Sequence, residues 1–367
     1  MYPYTSVIGM PKEALDTPAL LVDLEKMERN IARMASTMRE NGVNWRPHVK
    51  CPKVPAIAHR LLDAGAIGVT CAKLGEAEVM AASGIRNILI ANQVVGPTKI
   101  GRLVNLLPSA DVIVAVDNAE NVAALDAAAR AKGVQLKVVI EVNTGMDRAG
   151  VEPGQPVIDL ASAISESQGL RFAGVMAWEA HTIRIADPVD KERRVAEAVK
   201  TLVDCADQCR DQGMPAEIVS CGGTGTYLYS SKQSGATEIQ AGGGIFGDVM
   251  YKTHMKVDHE YAMTVLATVT SRPHPNRIIC DNGKKTMSSD AAPPLPLGVS
   301  NVSSVNLSAE HAVITLDEPT DSPRLGDTIE FVVGYSDTTV VLHDEIFGIR
   351  DGKVEVVWPI LGRGKLR

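Results

Sequence analysis

One lysine and two glycine-rich runs carry most of the chemistry this chain offers. Lys50 closes the run Arg46-Pro47-His48-Val49-Lys50, two residues after His48 and two before Pro52. A lysine so flanked can pair with a carboxylate as a structural element. It can also form an imine with a carbonyl compound, because a desolvated ammonium gives up its charge easily. Downstream lie Ser220-Cys221-Gly222-Gly223-Thr224-Gly225-Thr226 and Gln240-Ala241-Gly242-Gly243-Gly244. Runs of small residues make turns, and they also let backbone N–H groups close on an anion. A phosphate cup opposite an imine-forming lysine asks for a phosphorylated aldehyde, and pyridoxal 5′-phosphate meets that requirement.

These residues need a scaffold that brings distant loops to one rim. Short Val- and Ile-rich runs at 43–48, 66–71, 87–91, 111–116, 136–142, 172–178, 217–220 and 237–240 read as strands buried on both faces. Helical patterns separate them. Leu24, Met27, Ile31, Met34 and Met38 share one helix face, Asp23 stands at the N-cap position, and 118–132 and 191–212 are further helices. Eight strands alternating with helices is the count for a (β/α)8 TIM-type barrel, and their even spacing favours it over an open doubly wound sheet. From about residue 261 the chain reads as strands without long helices, at 261–270, 277–280, 302–307, 311–316, 328–333, 340–349 and 354–358, with Asp351-Gly352 as a hairpin turn. The expected organisation is an N-terminal segment 1–17 packed with the β domain, a barrel over 18–248 and a C-terminal all-β domain over 249–367.

In such barrels chemistry gathers at the C-terminal strand ends, and the loops after strands seven and eight form the recurrent phosphate site. That rule selects His48 and Lys50, Asn92 and Gln93, the run 143–148 with Arg148, Glu179 and His181, and both glycine runs.

Composition narrows the partners. The chain has 367 residues, 45% hydrophobic and 22% charged, with a formal net charge of −7. That excludes disorder and gives no basic face for nucleic acid. No apolar run is long enough to span a bilayer, and residues 1–17 lack the apolar core of a signal peptide. Six dispersed cysteines read as free thiols of a cytoplasmic protein.

At these residues the chain resembles the D-threonine aldolase and D-serine dehydratase group of pyridoxal-phosphate enzymes, built on the alanine racemase barrel (fold type III). The motifs are Arg46-Pro47-His48-x-Lys50, Gly145-Met146-x-Arg148-x-Gly150, Glu179-x-His181, Gly222-Gly223-Thr224-Gly225, Asp281-x-Gly283-x-Lys285 and Glu310-His311, and the likeness runs from Thr17 to Gly364. The resemblance implies that Lys50 carries the cofactor, with His48 beside it. It implies that Arg148 bonds near the phenolic oxygen, and that Ser220, Gly222, Gly223, Thr224, Gly242, Gly243, Gly244 and Ile245 hold the phosphate. Gln240 stands where the related racemase places an arginine against the pyridine nitrogen, so a neutral amide faces that atom. His181 is expected beside the ring or substrate, with a packed core histidine as the alternative.

One departure concerns metal. Family members that cleave or dehydrate D-3-hydroxy amino acids place His-x-Asp or His-x-Cys in the β domain as divalent-metal ligands. Here the matching positions are Tyr335 and Asp337. A phenol is protonated at neutral pH, with a reference pKa of about 10, so Asp337 alone would leave a weak oxygen site for Mg2+ or Mn2+, and tight Zn2+ is not expected. The implied reaction is aldol cleavage of a D-3-hydroxy amino acid to glycine and an aldehyde, with Tyr335 and Asp337 as catalytic groups. The alternatives are a D-serine or 3-hydroxyaspartate dehydratase, a racemase or epimerase using Tyr335 as second base, and a pyridoxal-phosphate carrier without turnover. A homodimer, the partner's β domain closing the barrel mouth, is implied as well.

Overall fold

The computed structural model describes residues 6–367. The first five residues of the expected N-terminal segment lie outside the described residues. The chain divides into two compact units. The β unit comprises the described part of Met1–Ala32 with Cys51–Val54 and Gly243–Arg363; the barrel unit comprises Arg33–Lys50, Pro55–Gly242 and Gly364–Arg367.

Strand β1 (Ala19–Asp23) comes after a 3₁₀ turn at Lys12–Ala14, and helix α1 (Leu24–Glu40) follows it directly. The Asp23 carboxylate accepts the Lys26 N–H at 3.0 Å, as an N-cap should. The stripe Leu24, Met27, Ile31, Met34 and Met38 is buried throughout.

The barrel unit holds β2 (Asn44–Trp45), β3 (Val69–Cys71), β4 (Asn87–Gln93), β5 (Asp111–Val116), β6 (Leu136–Glu141), β7 (Leu170–Met176), β8 (Ile218–Cys221) and β9 (Glu238–Ile239). All eight expected strands are present. They pair in parallel in the order β2-β9-β8-β7-β6-β5-β4-β3. Backbone bonds close the ring from β3 back to β2: Ile67 N–H to Trp45 C=O at 2.8 Å, Thr70 N–H to Pro47 C=O at 2.9 Å, and Val49 N–H to Thr70 C=O at 2.8 Å. Closure rules out an open doubly wound sheet, which would leave two edges. Helices α2 (Pro55–Asp63), α3 (Leu74–Ala82), α4 (Pro97–Leu106), α5 (Ala119–Lys132), α6 (Gln155–Glu166) and α7 (Pro188–Asp211) connect the strands, and the four-residue α8 (Tyr227–Ser230) follows β8. The interior packs Leu89, Ile113, Ala115, Val139, Ala173 and Met176. A buried, doubly hydrogen-bonded ion pair joins Arg46 to Glu238 at 2.9 Å on each arm.

The β unit contains a nine-stranded sheet. Its later strands are β10 (Met263–His274), β11 (Arg277–Cys280), β12 (Leu295–Pro296), β13 (Val302–Leu307), β14 (Ala312–Leu316), β15 (Thr328–Val332), β16 (Glu345–Arg350) and β17 (Lys353–Pro359). Strand β1 lies among them, antiparallel to β10 and parallel to β16. The apolar run Ala19–Val22 therefore belongs to this sheet, and each unit is assembled from separate stretches where cuts at 17/18 and 248/249 are expected. Asp351 and Gly352 both take positive φ, 50° and 73°, the requirement of a two-residue I′ hairpin turn.

The segment 340–349 departs from its expected strand. Residues Ser336–Thr339 form a short helix, α9, and Val340–Leu342 a 3₁₀ turn; the strand begins only at Glu345. The apolar, β-branched run is overridden locally: Thr339 Oγ1 donates to the Tyr335 carbonyl at 2.9 Å, offering the backbone a helical turn instead of a ladder.

Candidate active site

At the barrel rim the end of β2 runs on through Arg46–Lys50. His48 N–H donates to Gln240 C=O at 2.9 Å, tying this segment to the end of β9. The approach is so close that a Cβ on Gly242 would lie 2.2 Å from the His48 carbonyl oxygen. The Lys50 N–H donates to His48 Nδ1 at 3.3 Å, which leaves the proton of the neutral imidazole on Nε2. The Lys50 ammonium lies 5.0 Å from the centroid of the Trp178 ring, and the Arg148 guanidinium carbon 5.6 Å from the same centroid. Two cations thus meet one indole, whose face attracts each by about 0.5–1 kcal/mol. Sequence reasoning missed Trp178; its signal was its place as the last residue of a strand-end run, directly before Glu179.

Arg148 is half exposed and its Nη2 stands 3.5 Å from Glu141 Oε1. Gln93 Nε2 donates to Glu141 Oε2 at 2.6 Å and to Asp117 Oδ2 at 3.0 Å, so the expected strand-end residues form one polar chain. The 143–148 loop is folded on Asn143, whose Oδ1 accepts the N–H groups of Gly145 and Asp147, each at 3.1 Å. Gly145, at φ +114°, faces His181: a Cβ there would lie 3.3 Å from its ring. His181 is exposed, within a 3₁₀ turn, and is not a packed core histidine.

The loop after β8 is organised by Glu179, which is 1% exposed. Its carboxylate accepts Gly222 N–H at 3.3 Å, Thr226 Oγ1 at 2.7 Å and the Ser230 hydroxyl. Gly222 sits at φ +78°, and a Cβ on Gly223 would lie 2.6 Å from Trp178 Nε1. Ser220 is fully buried and accepts the Gln240 side-chain N–H at 2.9 Å. Thr224 is buried in the same loop. The Trp178 Nε1–H is buried yet has no hydrogen-bond partner among the described residues. Such an orphan donor costs about 1–3 kcal/mol. Beside a cradle too tight for any side chain beyond glycine, it fits an anion such as the phosphate of pyridoxal 5′-phosphate, and the Lys50 amine lies against the same indole.

In the β unit, Gly243–Ile245 form a 3₁₀ turn. The Gly244 carbonyl meets His259 Nδ1 at 2.6 Å, and the Ile245 carbonyl accepts from Asn30 Nδ2 at 3.1 Å. A Cβ on Gly243 would lie 2.2 Å from Tyr251 Oη. Tyr335 Oη donates to Asp337 Oδ2 at 3.0 Å and Tyr251 Oη to Asp337 Oδ1 at 3.4 Å; the two rings pack edge to face, 5.8 Å apart. The expected pair Tyr335 and Asp337 is therefore brought together, with a second phenol that sequence reasoning missed. Burial, and then the Asp337 charge, push both phenols up. Asp248 lies beneath. Its carboxylate accepts Ser336 N–H at 2.8 Å, Ser336 Oγ at 2.7 Å and Tyr251 N–H at 2.8 Å. Burial nevertheless pushes it up to about 7. Cys51 Sγ donates to Ser336 Oγ at 3.3 Å, and burial pushes that thiol up too. Elsewhere in this unit Lys285 pairs with Glu310, joining two of the motifs, and His343 Nε2 bonds the Thr286 carbonyl at 2.7 Å.

This donor set does not suit a divalent ion. Both Asp337 oxygens accept phenol protons, protonated phenols are poor ligands, and among the described residues no three His, Cys, Asp or Glu side chains converge as a metal site.

A closed parallel barrel whose rim joins a lysine, an indole and a glycine cradle, followed by an antiparallel β unit, defines an alanine-racemase-type pyridoxal-phosphate enzyme. Residues 22–249 match the family "Alanine racemase, N-terminal domain" and residues 262–349 the "Putative serine dehydratase domain". The chain belongs to the family that combines them, the D-threonine aldolase and D-serine dehydratase group, and as a member is a pyridoxal-phosphate-dependent lyase. It is similar to a D-threonine aldolase of Arthrobacter sp, 34% identical over 359 residues, covering 97% of this chain and 95% of the relative. A 3-hydroxy-D-aspartate aldolase of Paracoccus denitrificans (strain Pd 1222) is 32% identical over 375 residues, covering 99% and 96%. The crystal structure of D-threonine aldolase from Filomicrobium marinum superposes with a TM-score of 0.95 at 36% identity, covering 98% of this chain and 99% of that one.

Proposed function

We propose that this protein cleaves the Cα–Cβ bond of a D-3-hydroxy amino acid, releasing glycine and an aldehyde. The observation that carries the reading is the end-to-end similarity to a D-threonine aldolase at 34% identity. Pyridoxal 5′-phosphate, when bound, supplies an aldehyde for the substrate amine and a ring that accepts the electrons left at Cα. Lys50 would hold the cofactor at that aldehyde. Gly222, Gly223, Thr224, Gly242, Gly243, Gly244 and Ile245 would form the cradle for its phosphate, and the Trp178 Nε1–H would add a donor. Arg148 would bond near the phenolic oxygen. Gln240, whose side-chain N–H is held by Ser220 Oγ at 2.9 Å, would face the ring nitrogen with a neutral amide, so the nitrogen would gain no proton from it. Tyr335 accepts the 3-hydroxyl proton while its own passes to Asp337 Oδ2; the Cα–Cβ bond breaks and the hydroxyl carbon leaves as aldehyde. His181 returns a proton to Cα.

A second reading is favoured by the match of residues 262–349 to a serine dehydratase domain. There Cα–H breaks, hydroxide leaves, and hydrolysis yields ammonia and a 2-oxo acid. The test is a product panel with D- and L-3-hydroxy amino acids, with and without divalent metal. Glycine plus aldehyde from the D-forms supports the proposal; ammonia plus 2-oxo acid moves it to the dehydratase; an inverted amino acid makes it a racemase.

The same reading makes the reaction independent of tightly bound zinc. It also makes the working unit a homodimer, the partner's β unit closing the barrel mouth; full activity in a species that light scattering shows to be monomeric contradicts that. All six cysteines are free thiols, which suits the reducing cytoplasm. No helix among the described residues is long and apolar enough to cross a membrane.

A further inference from the structure

Tyr251 has no role in the reading above, yet its hydroxyl occupies an unusual place. It reaches Asp337 Oδ1 at 3.4 Å, on the other oxygen from the one that Tyr335 holds at 3.0 Å. On its far side it abuts the second glycine run: the Cβ that Gly243 lacks would stand 2.2 Å from Tyr251 Oη. Its own backbone is fixed by the same buried carboxylate that fixes the Tyr335–Asp337 segment, since Asp248 accepts both the Tyr251 N–H at 2.8 Å and the Ser336 N–H at 2.8 Å. The two phenols are thus set on one anchor and aimed at one carboxylate. A carboxylate with a donor on each oxygen has lost the rotation that would let it present either oxygen to a third group.

We infer that Tyr251 is a positioning residue for the proposed reaction: it holds Oδ1 of Asp337, so that Oδ2 stays on Tyr335 and neither oxygen is offered to a divalent ion. Its hydroxyl sets the orientation of the acceptor in the proton transfer from Tyr335 and touches no substrate atom. Gly243 is the complementary requirement, because any side chain there displaces the hydroxyl. The inference rests on the aldolase reading for its kinetic consequence but not for its consequence in metal binding.

The experiment uses holoenzyme of the native chain and of Tyr251→Phe, with cofactor absorbance and melting temperature confirming that both are loaded and folded. Tyr251→Phe lowers kcat about 10-fold, the weight of one hydrogen bond to a charged group, and leaves KM for the D-3-hydroxy amino acid within about threefold. A residue that merely packs gives no such split. In parallel, free Mn2+ is followed by electron paramagnetic resonance: the native chain takes up none at micromolar concentrations, and Tyr251→Phe, with one Asp337 oxygen released, gains measurable uptake. A native kcat in Tyr251→Phe, or stoichiometric Mn2+ uptake by the native chain, overturns the inference. If no D-3-hydroxy amino acid is turned over, the aldolase reading fails by itself, and the Mn2+ titration of the two proteins still decides the role of Tyr251.

Discussion

Replacing Tyr335 by phenylalanine removes one oxygen atom and asks whether a proton passes through it. In the structure that oxygen donates to Asp337 Oδ2 at 3.0 Å, from a ring held edge to face against Tyr251. Phenylalanine keeps the ring contact, so the packing loss is small. The lost hydrogen bond to a charged acceptor is worth about 1.5–3 kcal/mol at most, and part of it is recovered because Tyr251 still donates to the other oxygen. A chain of this size tolerates that with a fall of a few degrees in Tm. Turnover is a different matter. Removing a group that transfers a proton in the transition state costs about 100- to 10,000-fold, so kcat should fall at least about 100-fold, or ~2.7 kcal/mol in barrier. The assay is steady-state glycine formation from a D-3-hydroxy amino acid by holoenzyme, checked for cofactor content. A near-native kcat, with only the small change in Tm, would show that Tyr335 packs the β unit and moves no proton.

Two further outcomes follow from buried groups. Asp248 has its carboxyl raised to about 7 from an ordinary 3.8. Between those pH values the folded protein keeps a proton that the unfolded chain has released, so this group lowers the unfolding free energy by about 1.4 kcal/mol per pH unit as pH rises, and the slope ends above pH 7. Asp248→Asn should remove that slope in urea melts between pH 5 and 7; an unchanged slope refutes the assignment. Gly242→Ala places a methyl 2.2 Å from the His48 carbonyl oxygen, backbone against backbone. It should cost about 2–3 kcal/mol and reduce cofactor retention on gel filtration, and wild-type stability with full cofactor content would contradict it.

Much of the fold was legible because its signals are local. Each barrel strand is a short apolar run between turn residues, and the I′ turn at Asp351-Gly352 needs only its two residues. Lys50, Arg148 and both glycine runs could be singled out because barrel strand ends follow a rule, and the structure brings Lys50 and Arg148 to one indole. What escaped depends on tertiary partners. Ala19–Val22 reads the same in either unit, and only its pairing with β10 and β16 settles its sheet. Val340–Leu342 has strand composition but lies directly behind a turn closed by Thr339 and anchored at Ser336 by Asp248. Trp178, Asp248 and Tyr251 carry no motif of their own: their importance lies in an unpaired indole N–H, three donors on one buried carboxylate, and a hydroxyl that meets Asp337 86 residues away.

The central claim, a pyridoxal-phosphate lyase built on a strand-end lysine, is tested most directly by fixing the cofactor to the protein. Borohydride reduction of the holoenzyme followed by peptide mapping should place the pyridoxyl label on Lys50, the ammonium 5.0 Å from the Trp178 ring centroid. Recovery of the label on Lys53 or Lys73, or no covalent label on a protein that binds the cofactor, would contradict the account.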